Sequence, residues 1–140
     1  LLDFSDPMKH AMRRNGKEIP AQRHGGLVHA YWKNTLKQMF TSGDWSVTLE
    51  KPLVNGQSVD LHAEKGSRTV TVEVETADRA VRNIKKLLGQ KNDWIIVFCT
   101  DEEVKAGTRK ALHKSGISAN NILIVTPADY EKIISHTVLQ

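Results

Sequence analysis

The sequence predicts an α/β domain built on a mixed sheet, and three observations carry that prediction. Between Trp45 and Thr76 three consecutive runs alternate apolar and polar residues, which is the side-chain period of a strand. From Trp94 to Cys99, and again from Ile122 to Val125, the chain is apolar without a break, as in strands covered on both faces. The stretches around these runs carry apolar residues three and four apart, the period of a helix. A chain of 140 residues fits one domain and can bury a core.

Residues 1–24 are expected to be a lead-in or linker, and residues 25–140 the domain. The first part holds Pro7, Pro20 and the turn-forming Asn15-Gly16. Phe4, Met8 and Met12 recur every four residues, enough for a short amphipathic helix, with His10, Arg13 and Arg14 on a solvated face. The first residue is Leu rather than Met, and an upstream domain of the same protein is expected.

Gly25-Gly26 opens the first long helix. Val28, Trp32, Leu36 and Met39 form its apolar stripe, widened by Tyr31 and Phe40, while His29, Lys33 and Lys37 run along a neighbouring polar face. The helix should stop near Ser42-Gly43, where glycine can take a left-handed cap. Three strands follow. In the first, Trp45, Val47 and Leu49 alternate with Ser46, Thr48 and Glu50 until Pro52 breaks the ladder. Asn55-Gly56 is a hairpin turn. In the second, Val59, Leu61 and Ala63 alternate with Ser58, Asp60, His62 and Glu64. After a turn at Lys65-Gly66-Ser67, the third sets Val70, Val72 and Val74 against Thr69, Thr71, Glu73 and Glu75.

A helix then carries Ala80, Ile84, Leu87 and Leu88 on one face and Arg79, Arg82, Asn83, Lys86 and Gln90 on the other. The apolar run Trp94 to Cys99 reads as a central, parallel strand. A helix over 101–114 has acids at its start and His113 and Lys114 at its end, the order a helix dipole favours. A buried strand at 122–125 and a helix over 127–136 complete the order αβββαβαβα. The meander leads into a crossover, so the sheet is mixed and flanked by helices.

Composition narrows function only a little. Net charge is +4, which permits a polyanionic partner without requiring one. The longest apolar run is too short to span a bilayer, so no membrane partner is expected. The single cysteine, Cys99, rules out an internal disulfide and a multi-cysteine zinc site. It reads as a core residue of a protein kept in the reducing cytoplasm.

The carboxylates are more informative. Glu73 and Glu75 share one face of one strand, where like charges repel and Glu is a poor strand former. Strand parity puts Glu50 and Asp60 on the polar faces of the two preceding strands. If the faces align, four carboxylates meet in one patch, and oxygen ligands of that kind suit Mg²⁺ or Mn²⁺. Taken singly, each acid has a plainer explanation as a solvated or amide-bound carboxylate.

Asp60 followed by Glu73-Val74-Glu75, in the order αβββαβ, resembles the PD-(D/E)XK nuclease superfamily, the restriction-endonuclease-like fold. The resemblance covers roughly residues 25–100, with the C-terminal αβα elements as an extension. Val59 stands where the family has proline, and Glu75 where it usually has lysine. The resemblance implies a Mg²⁺-dependent endonuclease domain acting on DNA, within a larger DNA-processing or defence protein. Homodimers are common in such nucleases, since two strands need two sites. Asp60, Glu73, Glu50 and the Val74 carbonyl would hold metal, with Mn²⁺ able to substitute. Glu75 would orient the attacking water, and Lys85 or Lys86 could supply the missing lysine. Arg79, Arg82, Asn83 and Lys86 would contact phosphate, and His29, on the first helix, could reach the site. The alternative is the same fold without catalysis, a module that binds DNA or protein.

Overall fold

The computed structural model describes residues 21–77, 79–88, 90, 92–118, 120–130 and 133, with side chains from Gly26 onward. In chain order the elements are α1 (Ala21–Ser42), β1 (Ser46–Pro52), β2 (Ser58–Lys65), β3 (Arg68–Glu75), α2 (Ala80–Lys85), β4 (Trp94–Cys99), α3 (Glu102–Lys114), β5 (Ile122–Val125) and a 3-10 turn at Pro127–Asp129. The strands form one sheet in the order β1-β2-β3-β4-β5. β1, β2 and β3 pair antiparallel, and β4 runs parallel to both β3 and β5. The mixed sheet expected from the patterning is present, with the apolar Trp94–Cys99 run in its interior. β1 and β5 are the edges of the sheet among the described residues, and both are only partly buried. The two hairpins close on Gly56 and Gly66 at φ 83° and 62°, where a Cβ would be strained.

Each face of the sheet has its own core. On one, Trp32, Leu36 and Phe40 of α1 pack on Leu61, Ala63, Val70, Val72, Val74, Ile96 and Phe98. The Trp32 and Phe98 rings stand 4.8 Å apart, centroid to centroid. Phe98 is fully buried, so Phe98→Ala is expected to cost about 3–5 kcal/mol. Urea unfolding should show it as a lower midpoint at unchanged slope.

On the other face, Ala80 and Ile84 of α2 and Leu112 of α3 cover Val97 and Cys99. Leu87 joins Val59 and Ile95 beside them. Burial pushes the Cys99 thiol up to about 11, so it is an unreactive core residue, as its place in the sequence suggests. Asp101 caps α3 by accepting the Val104 amide at 2.8 Å, and the acids and bases at the two ends of α3 fall as expected.

Three boundaries differ from the sequence reading. α1 begins at Ala21, so Gly25 and Gly26 lie inside it rather than opening it. Its packed stripe further along holds the helix together despite their poor propensity. α2 stops at Lys85, and the chain tightens into three-residue turns through Leu87 N to Ile84 O and Leu88 N to Lys85 O. That turn buries Leu87 and leaves Leu88 52% exposed, outside the stripe predicted for it. The last predicted helix opens as the 3-10 turn, capped mutually by Thr126 and Asp129. Tyr130 and Ile133 reach the α1-side core, and most of the rest of that helix lies outside the described residues. So does the Phe4-Met8-Met12 pattern. No helix among the described residues is long and apolar enough to cross a membrane.

Candidate functional site

Strand parity places Glu73 and Glu75, whereas Asp60 lies where the alternation of β2 breaks: Leu61 and Ala63 face α1 and Val59, expected on their face, packs with Leu87 and Ile95 on the other. The β2–β3 register runs from Lys65↔Arg68 to Leu61↔Val72. One step further, Asp60 meets β3 through its side chain: Oδ2 accepts the Val74 amide at 2.7 Å. The same oxygen lies 3.1 Å from His29 Nε2 on α1. Glu73 stands opposite Val97 and Glu75 opposite Cys99 on β4, so both carboxylates point to the α2 side. Glu73 is 2% exposed. Its carboxyl shares a hydrogen bond with Asp60, and Lys86 Nζ is 2.8 Å from its Oε1. That contact is a buried ion pair, and it favours the ionised form of Glu73. Glu75, also buried, accepts from Asn83 Nδ2 at 2.6 Å.

The two paired acids are pushed in opposite directions. Burial, followed by the nearby charge of Asp60, raises Glu73 to about 9. Burial also lifts Asp60, but hydrogen bonds from His29, Glu73 and the Val74 amide outweigh it and hold that carboxyl below the usual range. The pair therefore carries one proton and one negative charge at neutral pH, with Lys86 as counter-charge. Burial raises Glu75 as well, against the Asn83 hydrogen bond.

The backbone adds a third oxygen. The N–H and C=O of a strand residue point to the same side. The Glu75 carbonyl accepts from Thr100 N at 3.0 Å beside β4. The Val74 amide points the other way, to Asp60, and its carbonyl faces that side too. Asp60, Glu73 and the Val74 carbonyl are the hard oxygen donors that Mg²⁺ or Mn²⁺ prefers. Among the described residues, no group of three or more His, Cys, Asp or Glu is spaced to hold a metal ion, so side-chain ligation rests on two carboxylates.

Glu50 does not complete the patch. The β1–β2 register is continuous on either side of it, Leu49↔Leu61 and Lys51↔Val59. At Glu50 itself φ is 51°, which breaks the alternation that parity assumes. Its carboxylate is taken by Lys33 of α1 and lies 3.4 Å from the Ser58 hydroxyl.

The polar face of α2 also divides. Asn83 and Lys86 turn inward to Glu75 and Glu73, while Arg79, Arg82 and Lys85 are exposed and line a groove. His29 does reach the site. The role of Lys33, one helical turn further along the same polar face, was not anticipated, although the spacing of four was the available signal.

A second polar cluster escaped the sequence reading altogether. His62 Nδ1 is 3.1 Å from Thr71 Oγ1, its Nε2 is 3.0 Å from Glu64 Oε1, and the Thr71 hydroxyl donates to Asn92. The chain has the form of a nucleophile, base and acid. Thr71 is only 1% exposed and its proton is committed to Asn92, so no substrate is offered a nucleophile there.

No protein-family model matches the chain, and no curated protein matches it.

Proposed function

We propose that the chain is a metal-dependent endonuclease domain that hydrolyses DNA phosphodiester bonds. The observation that carries this reading is the buried Asp60–Glu73 pair on adjacent strands, with Lys86 against it. Bound Mg²⁺, or Mn²⁺ in its place, would neutralise charge on the scissile phosphate and acidify water. Asp60, Glu73 and the Val74 carbonyl would hold it. His29 and the Val74 amide fix Asp60 through Oδ2. Lys86 donates to the scissile phosphate and steadies the attacking water, the part Glu75 was expected to take. Glu75 is committed to Asn83 and holds that side chain in place. The resemblance to the nuclease superfamily supports DNA as substrate, with 5′-phosphate and 3′-hydroxyl products.

A supercoiled-plasmid assay tests the reading. The wild type should nick and linearise DNA with Mg²⁺ or Mn²⁺, and Asp60→Ala should not. Cleavage that survives complete chelation would sink the mechanism.

One observation favours a second reading, a non-catalytic module. Lys86 already neutralises the pair, and side-chain ligation rests on two acids. Glu73→Ala separates the two: the nuclease loses cleavage and keeps DNA binding, whereas the module cleaves in neither form.

A further inference from the structure

A groove of about 760 Å³ lies beside α2. Arg79, Arg82, Lys85 and Lys86 line it from α2 and its ends, and Gln57 lines it from the β1–β2 hairpin. Val81 and Ala111 provide its apolar lining.

The chemistry of Gln57 is fixed by the turn it sits in. Its main-chain N–H donates to Asn55 Oδ1 at 3.0 Å. A main-chain N–H can only donate, so the Asn55 oxygen is on that side and Nδ2 is on the other. Asn55 Nδ2 donates in turn to Gln57 Oε1 at 2.9 Å. One lone pair of Gln57 Oε1 is thereby taken, and its NH₂ pair is free to donate. Every polar side chain on the groove is then a hydrogen-bond donor, and four of the five are cations.

A lining whose polar side chains all donate, four of them cations, selects an anionic acceptor. Unpaired bases are held by stacking on aromatic rings, and no described lining residue is aromatic. Phosphate oxygens are acceptors only and carry charge, and contacts to them position a duplex without reading it. Lys86 links the groove to Glu73, with its Nζ 2.8 Å from that carboxylate.

We propose that this groove seats the phosphate backbone of duplex DNA irrespective of base sequence, with Gln57, oriented by Asn55, as an uncharged phosphate-binding residue opposite the cations of α2. The proposal deepens the nuclease reading and rests on it for the choice of polyanion. Any sequence preference of the full protein would then come from outside this groove.

Binding is measured by fluorescence anisotropy with labelled duplexes of two unrelated sequences, in EDTA, so that cleavage plays no part. The wild type should bind both duplexes equally, prefer duplex to single strand, and weaken steeply with salt. Arg82→Glu and Lys85→Glu should each weaken binding about tenfold or more and flatten the salt dependence. Gln57→Glu should weaken it comparably and Gln57→Lys should preserve it. These positions are exposed, so folding is not at stake. Lys37→Glu, on the opposite layer, should change nothing.

Gln57→Glu and Arg82→Glu binding like wild type would overturn the groove, as would a strong preference between the two sequences, tighter binding of single strands, or no duplex binding at all. If the groove variants fail to bind but Mg²⁺ never elicits cleavage from the wild type, the groove stands and the nuclease reading falls. If the wild type cleaves and the groove variants bind and cleave equally well, the nuclease reading stands and the groove falls.

Discussion

Glu73→Gln should abolish DNA cleavage and, in the absence of metal, stabilise the protein. The two effects have one cause. The carboxyl at position 73 is buried beside Asp60 and raised from an ordinary 4.5 to about 9. Between those values the folded protein keeps a proton that the unfolded chain releases. The corresponding stability is fully present below about 4.5 and is lost as pH rises through about 9. Glu75 is raised too and adds the same sign. Asp60 is lowered, so its contribution has the opposite sign and is lost only as pH falls through its folded value, below that window.

Glutamine reproduces the neutral acid in shape and cannot ionise. Metal-free Glu73→Gln should therefore melt higher than wild type at pH 9, by roughly 1–3 kcal/mol or a few degrees, and the gap should narrow at pH 6. Cleavage should fall about a hundredfold or more, since an anionic ligand worth several kcal/mol of charge stabilisation is gone. Thermal unfolding in EDTA at the two pH values, beside a nicking assay, reads both effects. A variant that melts lower at both pH values would show that Glu73 serves the fold instead of a cation.

The sequence made the strand faces legible, and with them half the site. A period of two is local, so Glu73 and Glu75 on one side follow from counting, but Asp60 does not: the β2 alternation breaks there, with Leu61 and Ala63 packed under α1 and Val59 on the other face beside Leu87. The central position of Trp94–Cys99 follows from its two apolar faces. Counting failed where the backbone left the regular strand. Glu50 sits at φ 51°, and one left-handed residue is enough to send its carboxylate to Lys33. It failed again at α2, where a full helical stripe was assumed. The helix closes at Lys85, and the turn after it leaves Leu88 exposed, although Lys86, named from its polar face, does lie against Glu73. Contacts between layers, such as His29 to Asp60, depend on how α1 lies over the sheet, and no local period reports that. Gln57 was invisible for another reason: its meaning lies in which of its amide atoms Asn55 has already used.

Lys86→Ala should lower the cleavage rate about 10²–10⁴-fold, the range seen when a proton-handling or charge-stabilising side chain is lost. Glu75→Gln should cost less than about tenfold. The contrast comes from what each group faces. Lys86 has its ammonium 2.8 Å from Glu73 and its stem on the groove wall, so it touches both the carboxylate pair and the path of the phosphates. Glu75 is turned into Asn83, and glutamine can keep that contact by offering its carbonyl oxygen. Removing Lys86 also strips the pair of the cation that favours its ionised form, so Asp60 and Glu73 hold their shared proton more firmly against an incoming metal. Because Lys86 lines the groove, its loss weakens binding as well. Single-turnover rates at saturating protein separate the two contributions, since weaker binding disappears there and a slower chemical step does not. Lys85→Ala is the internal control: it lines the same groove but makes no contact with Glu73, so it should alter affinity and leave the saturated rate near wild type. If Glu75→Gln instead abolished the saturated rate while Lys86→Ala kept it, the water-handling role would return to the strand and Lys86 would be only a counter-ion.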